Sequence, residues 1–170
     1  MIACVQGKAQ KYLARNGFVG FYSKTPLEDI VAENNQAFAI IDTAARQIAF
    51  VLLVKGFIFP KELMQEHFNE NYAESDKYPK TAFNGTYTST RPLNKEGIYP
   101  IVVKGNLTLH GVTKSIEEPA TLEIRSGSIL GNSSFKLNPG DFNMKIPSIV
   151  RDKIAKEMDV KIRVTWSTLK

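Results

Sequence analysis

Two histidines, one cysteine and two acidic pairs are the residues of this chain whose types could do chemistry. His67 falls four residues after Leu63 on an apolar stripe of helical spacing, with no serine or cysteine motif beside it. It reads as a helix residue hydrogen-bonded near a sheet rather than as a base. His110 precedes Gly111 between two runs of strand-like sequence and reads as fixing that turn through a backbone hydrogen bond. Cys4 has no second cysteine to pair with, and two histidines plus one near-terminal thiol do not make a zinc set, so no metal and no cofactor are expected. The pairs Glu28-Asp29 and Glu117-Glu118 stand in loop or strand-edge contexts, where solvated carboxylates are the simpler reading. No GxGxxG, GxxxxGK[ST] or GxSxG pattern occurs, and no catalytic residue is assigned.

The net charge of +5 would permit contact with nucleic acid or an anionic membrane. The lysines and arginines are dispersed, however, with no run of three, and Lys153 and Lys156 alternate with apolar residues and Glu157; the charge reads as solvation, and nucleic acid is not an expected partner. A chain of 170 residues with 43% hydrophobic residues is long enough for one domain with a sizeable core and needs no disulfides. No run of about eighteen apolar residues suggests a transmembrane helix.

The elements that would position any site are strands. From 101 to 110, Ile101, Val103, Leu107 and Leu109 alternate with Lys104, Asn106, Thr108 and His110, the period-two pattern of a half-buried strand. Gly111 supplies a tight reversal, and Ala120, Leu122 and Ile124 alternate with Thr121, Glu123 and Arg125 on the way back. Val160, Ile162, Val164 and Trp166 do the same against Lys161, Arg163, Thr165 and Ser167. Asn16-Gly17 predicts a hairpin between strands 11–15 and 18–23, Asn34-Asn35 a break, and 37–42 and 47–54 two further strands, the latter apolar on both faces and so covered. Residues 61–72, with Leu63, Met64, Phe68 and Tyr72 at three-and-four spacing, predict an amphipathic helix lying against the sheet as that cover. Strands follow at 81–89 and 128–137, and Ser148 would cap a second short helix carrying Ile149, Val150 and Ile154. About eight strands and one or two short helices predict an all-β, mainly antiparallel, closed eight-stranded barrel rather than a sandwich.

Several separated segments resemble the YceI-like family. The hairpin Leu107-Thr108-Leu109-His110-Gly111-Val112-Thr113-Lys114 is similar to the family's hallmark turn. The stretch from His67-Phe68 through Tyr78-Pro79-Lys80-Thr81-Ala82-Phe83 resembles its helix, loop and following strand, and Asp141-Phe142-Asn143-Met144-Lys145 resembles a further family segment. Together these span roughly residues 57 to 168. In the N-terminal third, where many members carry a His-x-x-Gly segment before a Gly-x-Phe strand, this chain has Phe18-Val19-Gly20-Phe21-Tyr22-Ser23 and no histidine. The resemblance implies a lipocalin-like barrel with a long apolar channel for an isoprenoid or other amphiphile, such as an isoprenoid quinone, polyprenol or fatty amide, and it implies export.

Strand alternation places Phe50, Leu52, Phe83, Tyr87, Val103 and Leu107 on the inward face, together with Leu122, Ile124, Phe135, Ile162, Val164 and Trp166. These are the candidate channel-lining residues, and ordinary core packing is the equal alternative for each. A channel needs no activated group: burying several hundred Å2 of chain at about 25 cal/mol per Å2 gains on the order of 10 kcal/mol before ordering costs. The expected function is therefore a non-enzymatic, exported carrier of a hydrophobic small molecule. The alternatives are a filled barrel that binds a membrane redox or envelope partner through its loops, or an enzyme with two carboxylates at the barrel mouth. Residues 1–9, with the apolar Met1-Ile2-Ala3-Cys4-Val5 and small Gly7 and Ala9 flanking Lys8, read as the tail of an export signal before a single domain, 10–170. That points to a periplasmic or secreted protein. A degenerate lipobox acylated at Cys4 and a disordered start of a cytosolic protein are the other readings, and the sequence leaves open whether two copies associate.

Overall fold

The computed structural model describes residues 11–24, 29–144 and 157–168. Eight strands, each hydrogen-bonded to the next and the last to the first, close an antiparallel barrel in simple sequence order. They are β1 (Lys11–Ser23), β2 (Ile30–Asp42), β3 (Gln47–Leu53), β4 (Lys80–Ser89), β5 (Gly97–Leu109), β6 (Val112–Arg125), β7 (Ser128–Leu137) and β8 (Met158–Thr168). One short helix, α1 (Glu62–His67), lies in the β3–β4 crossover. The second expected helix, at 148–154, and the expected signal remnant at 1–9 lie outside the described residues.

Pairing of β1 with β8 closes the wall, and the alternation marks its inside and outside. On β8, Val160, Val164 and Trp166 are buried while Lys161, Arg163, Thr165 and Ser167 are exposed, so one face meets an interior and the other meets water. A closed barrel also leaves no terminal sheet edge at β1 or β8.

Asn16-Gly17 does not turn the chain. β1 runs straight through it, and the register with β2 slips between Ala14↔Ala39 and Gly17↔Ala37. The extra residue is a β-bulge: Ala14 is buried before it and Gly17 and Gly20 face different sides after it, so inward positions pass from the even-numbered Tyr12 and Ala14 to the odd-numbered Gly17, Val19 and Phe21. A hairpin at this point would have left β8 without its partner. β2 compensates with its own irregularity between Asn34 and Ala37, where Asn34-Asn35 was expected to be a break, and the strand runs through it.

Asn34 is the pin of that irregularity. Its side chain is fully buried, donates from Nδ2 to Leu53 O at 3.0 Å and accepts from Gln36 N at Oδ1 at 2.8 Å. It thereby ties the bulge of β2 to the end of β3, where a 3-10 turn (Val54–Gly56) starts the crossover. Replacing Asn34 with Ala removes both bonds and empties a fully buried site, so Asn34→Ala should lower stability by about 1–3 kcal/mol. Urea unfolding would show this as a lower midpoint at unchanged slope, and a loss below about 0.5 kcal/mol would remove the role assigned to this side chain.

Candidate functional site

Inside the barrel lies a cavity of ≈ 630 Å³, walled almost entirely by carbon. Its long axis runs between two differently built ends. At the lower end the β2–β3, β4–β5 and β6–β7 connections meet, and Tyr87, Ile129, Leu122 and Trp166 are packed with Ala14, Ile41 and Ile48 into a solid floor. Trp166 lies across Gly131: a Cβ there would come within 2.5 Å of the indole Cζ3, so the close approach of ring to backbone requires glycine. The Phe50 ring meets that indole edge-on, with centroids 6.1 Å apart.

The upper end is made by the β3–β4 crossover. Phe57 and Phe59 point inward on either side of Ile58, whose backbone pairs with Glu33, and they join Phe21 of β1 and Phe68 in an aromatic collar with neighbouring centroids 5.0–6.1 Å apart. From α1 and the turn after it, Met64, His67, Phe68 and Tyr72 reach the same cavity. The residues following α1, Phe68–Tyr72, wind more widely, with Ala73 N donating to Phe68 O at 2.8 Å. The helix therefore roofs the barrel end instead of covering the outside of β3, as its apolar stripe had suggested; Leu53 on β3 stays 54% exposed and Leu63 on α1 64%.

Most of the inward residues read from strand alternation border this cavity: Phe50, Leu52, Phe83, Val103 and Leu107 on β3 to β5, and Leu122, Phe135, Ile162, Val164 and Trp166 on β6 to β8. Phe50, Val103, Phe135 and Ile162 are only half-buried: part of each inner face meets the open volume, while Phe50, Val103 and Ile162 also pack against the floor cluster. Tyr87 and Ile124 also point inward but do not reach the cavity. They sit below Trp166, in the floor cluster, where parity is satisfied by packing. The Tyr87 hydroxyl is pushed above the ordinary phenol range by burial, with Arg46 lowering it and Asp42 raising it.

The collar residues Phe21, Phe57, Phe59 and Phe68 were not among the sequence candidates. The one usable signal was the alternation of Phe57 and Phe59 about Ile58. The Glu117-Glu118 pair is also corrected: Glu117 faces out, but Glu118 shares the inward parity of Ile116, Ala120 and Leu122 and borders the cavity. Burial holds its carboxyl above the ordinary range. Other polar side chains at the wall are few, chiefly Lys61, His67, Thr81, Asn132 and Ser133. His67 is exposed and engages Asn71 at 3.1 Å, a helix-surface contact.

His110 makes its expected backbone hydrogen bond to a distant segment, not to its own turn. With Gly111 it forms a two-residue reversal in which both residues have positive φ, 54° and 72°, closed by the Leu109↔Val112 pair. Its buried ring then reaches Phe142 O through Nδ1 at 3.0 Å and Glu74 Oε1 through Nε2 at 3.0 Å, and it packs on Tyr78 at 4.5 Å. Both partners are acceptors, so both contacts are hydrogen bonds only when both ring nitrogens carry a proton. One side chain thus joins the β5–β6 hairpin, the crossover and the segment after β7. Among the described residues no group of three His, Cys, Asp or Glu side chains is placed to hold a metal ion, and no helix is long and apolar enough to cross a membrane.

A closed eight-stranded barrel with a plugged floor, an aromatic collar and an apolar lumen defines a lipocalin-like architecture. The YceI-like domain profile matches residues 19–166, most of the chain, and the protein belongs to the YceI-like family. The match begins within β1, so the N-terminal third belongs to the family domain even though it lacks the His-x-x-Gly segment. Among solved structures, a polyisoprenoid binding domain from Saccharophagus degradans implicated in plant cell wall breakdown superposes with a TM-score of 0.79 at 14% identity, covering 95% of this chain and 100% of that one. Burkholderia cenocepacia BcnA gives 0.74 at 16% identity over 88% of this chain and 95% of its own. The Campylobacter jejuni YceI protein gives 0.63 at 18% over 79% and 81%. At these identities the likeness is one of fold. No curated protein matches the sequence significantly.

Proposed function

We propose that this protein binds an isoprenoid-type or other long-chain amphiphile in its barrel and sequesters or ferries it, without catalysis. The observation that carries the reading is the cavity: ≈ 630 Å³ of apolar space, within the roughly 300–1,000 Å³ of small-molecule sites, kept open in a barrel whose floor is otherwise packed solid. A filled barrel acting only through its loops has no use for such a volume, which disfavours the interaction-module alternative. The polyisoprenoid-binding domain from Saccharophagus degradans, with the same fold, supports an isoprenoid as the occupant. The candidate binding residues are those at the wall, from Phe50 and Leu52 through Val103 and Leu107 to Ile162 and Trp166. A carrier of this kind would work in the periplasm or beyond, and fractionation of an expressing cell tests that part directly.

Trp166 offers the binding test. It is the one tryptophan of the chain, is 2% exposed, and borders the cavity from its floor. Titration with a C20 prenyl alcohol should change its emission saturably at one ligand per chain, and mass spectrometry of the intact protein should recover the same stoichiometry. Protein that stays empty in spectra and shows flat emission with prenyl, quinone and fatty-amide probes alike would remove the carrier reading.

A further inference from the structure

The barrel wall is not hydrogen-bonded along its whole height. β5 and β6 pair up to the Leu109↔Val112 turn, and β7 and β8 pair up to Leu137↔Met158. Between them, β6 and β7 pair only from Arg125↔Ser128 to Ala120↔Ser133. Above that rung, 112–119 of β6 and 134–137 of β7 diverge without a ladder. The seam is bounded below by Ser133 Oγ donating to Pro119 O at 2.8 Å and above by the His110–Phe142 contact at 3.0 Å. The cavity borders it: Ile116, Glu118, Phe135 and Leu137 on the unladdered stretches line the same space, together with Thr121 and Asn132, whose parity puts them on the outer face just below the last rung.

Glu118 stands at this seam. It lies one inward position above Ala120, where the ladder ends, and among the described residues no hydrogen bond or ion pair engages its carboxylate. A charged group at the edge of an apolar lumen with no partner is costly unless something supplies one. Elsewhere the wall is apolar at this level, with Ile116, Phe135 and Leu137 beside it. We propose that the seam between β6 and β7 is where the polar end of the ligand leaves the lumen, and that Glu118 is its partner there, selecting headgroups that donate hydrogen bonds or carry positive charge. This rests on the carrier reading above and narrows it: hydroxyl, amide and ammonium headgroups fit, whereas carboxylates and phosphates meet a like charge. An acceptor-only quinone head gains nothing from the ionised carboxylate. The cationic Lys61 also borders the cavity, but from the crossover before α1, so a headgroup held under the roof would show the opposite preference.

A series with one chain and three heads separates these arrangements. Calorimetric titration of the native protein with geranylgeranylamine, geranylgeraniol and geranylgeranoic acid should rank amine and alcohol at least tenfold tighter than the acid. Glu118→Gln keeps the shape and removes the charge, and should bring amine and acid within about threefold. Glu117→Gln, on the outer face, should leave the ranking as it is and controls for general surface charge. Equal affinity for all three heads, preference for the acid, or a ranking indifferent to Glu118→Gln would overturn the headgroup assignment while leaving chain binding intact. Uptake of none of the three would overturn the carrier reading and this inference together. If Glu118→Gln does not fold, the native ranking decides.

Discussion

Val103→Trp and Ile162→Trp, on β5 and β8, should together abolish uptake of a C20 chain while the barrel stays folded. Both side chains are half-buried and border the cavity above the floor cluster they pack against, so an indole at either position can extend into the open volume. Overpacking a filled core costs about 1–3 kcal/mol, but here the added ring displaces ligand instead of protein. If each ring removes about 60 Å2 of ligand contact at about 25 cal/mol per Å2, each costs about 1.5 kcal/mol, or about tenfold in affinity, and the pair a hundredfold or more. Val102→Trp and Arg163→Trp, one residue along on the outer faces of the same strands, should leave affinity within about twofold. Added fluorescence from the new indoles complicates emission measurements, so calorimetry or intact-protein mass spectrometry is the suitable readout. A double variant that folds and still takes up the chain with native affinity would place the site somewhere other than this lumen.

The contrast between inner and outer substitutions also shows what the sequence makes legible. Period-two alternation identifies the inward face of β3 to β8 because a strand that is wet on one side must segregate its residues, and Val160, Ile162, Val164 and Trp166 against Lys161, Arg163, Thr165 and Ser167 leave no other registry. Alternation says nothing about how far along the lumen a residue lies. That is why Tyr87 and Ile124 share the parity of the wall but belong to the floor. Bulges are illegible for a related reason. Asn16-Gly17 has the chemistry of a turn, and only the need for β1 to pair with both β2 and β8 converts it into an extra residue within a strand. The stripe of α1 was legible, but which apolar surface it covers is a tertiary choice, and the open end of the barrel won over the outside of β3. Glu118, placed with Glu117 in a loop or strand-edge context, shares an inward parity that was available in Ala120, Leu122 and Ile124 but was outweighed by the expectation that carboxylates stay in water.

His110→Ala should be the most destabilising single change at the upper end, because one buried ring holds three connections that share no ladder. It removes the contact to Phe142 O at 3.0 Å, the contact to Glu74 Oε1 at 3.0 Å and the packing on Tyr78. A hydrogen bond involving a charged group contributes about 1.5–3 kcal/mol and a neutral one about 1, so the loss should be about 3–4 kcal/mol, with relief of the positive φ at position 110 offsetting none of it, since alanine is less suited than histidine to that conformation. For a chain of this size that corresponds to a fall of about 10 °C in Tm. Glu74→Gln should cost much less, about 1 kcal/mol, because the Glu74 side chain is 43% exposed and water can replace it, and its amide can still accept from Nε2. The double variant should be no worse than His110→Ala alone, since removal of the ring already abolishes the Glu74 contact. The same ring bounds the upper edge of the β6–β7 seam, so His110→Ala should also accelerate ligand release at fixed temperature while the floor around Trp166 keeps its packing. Release rates unchanged in a variant destabilised to this extent would separate the joint at His110 from the route the ligand takes.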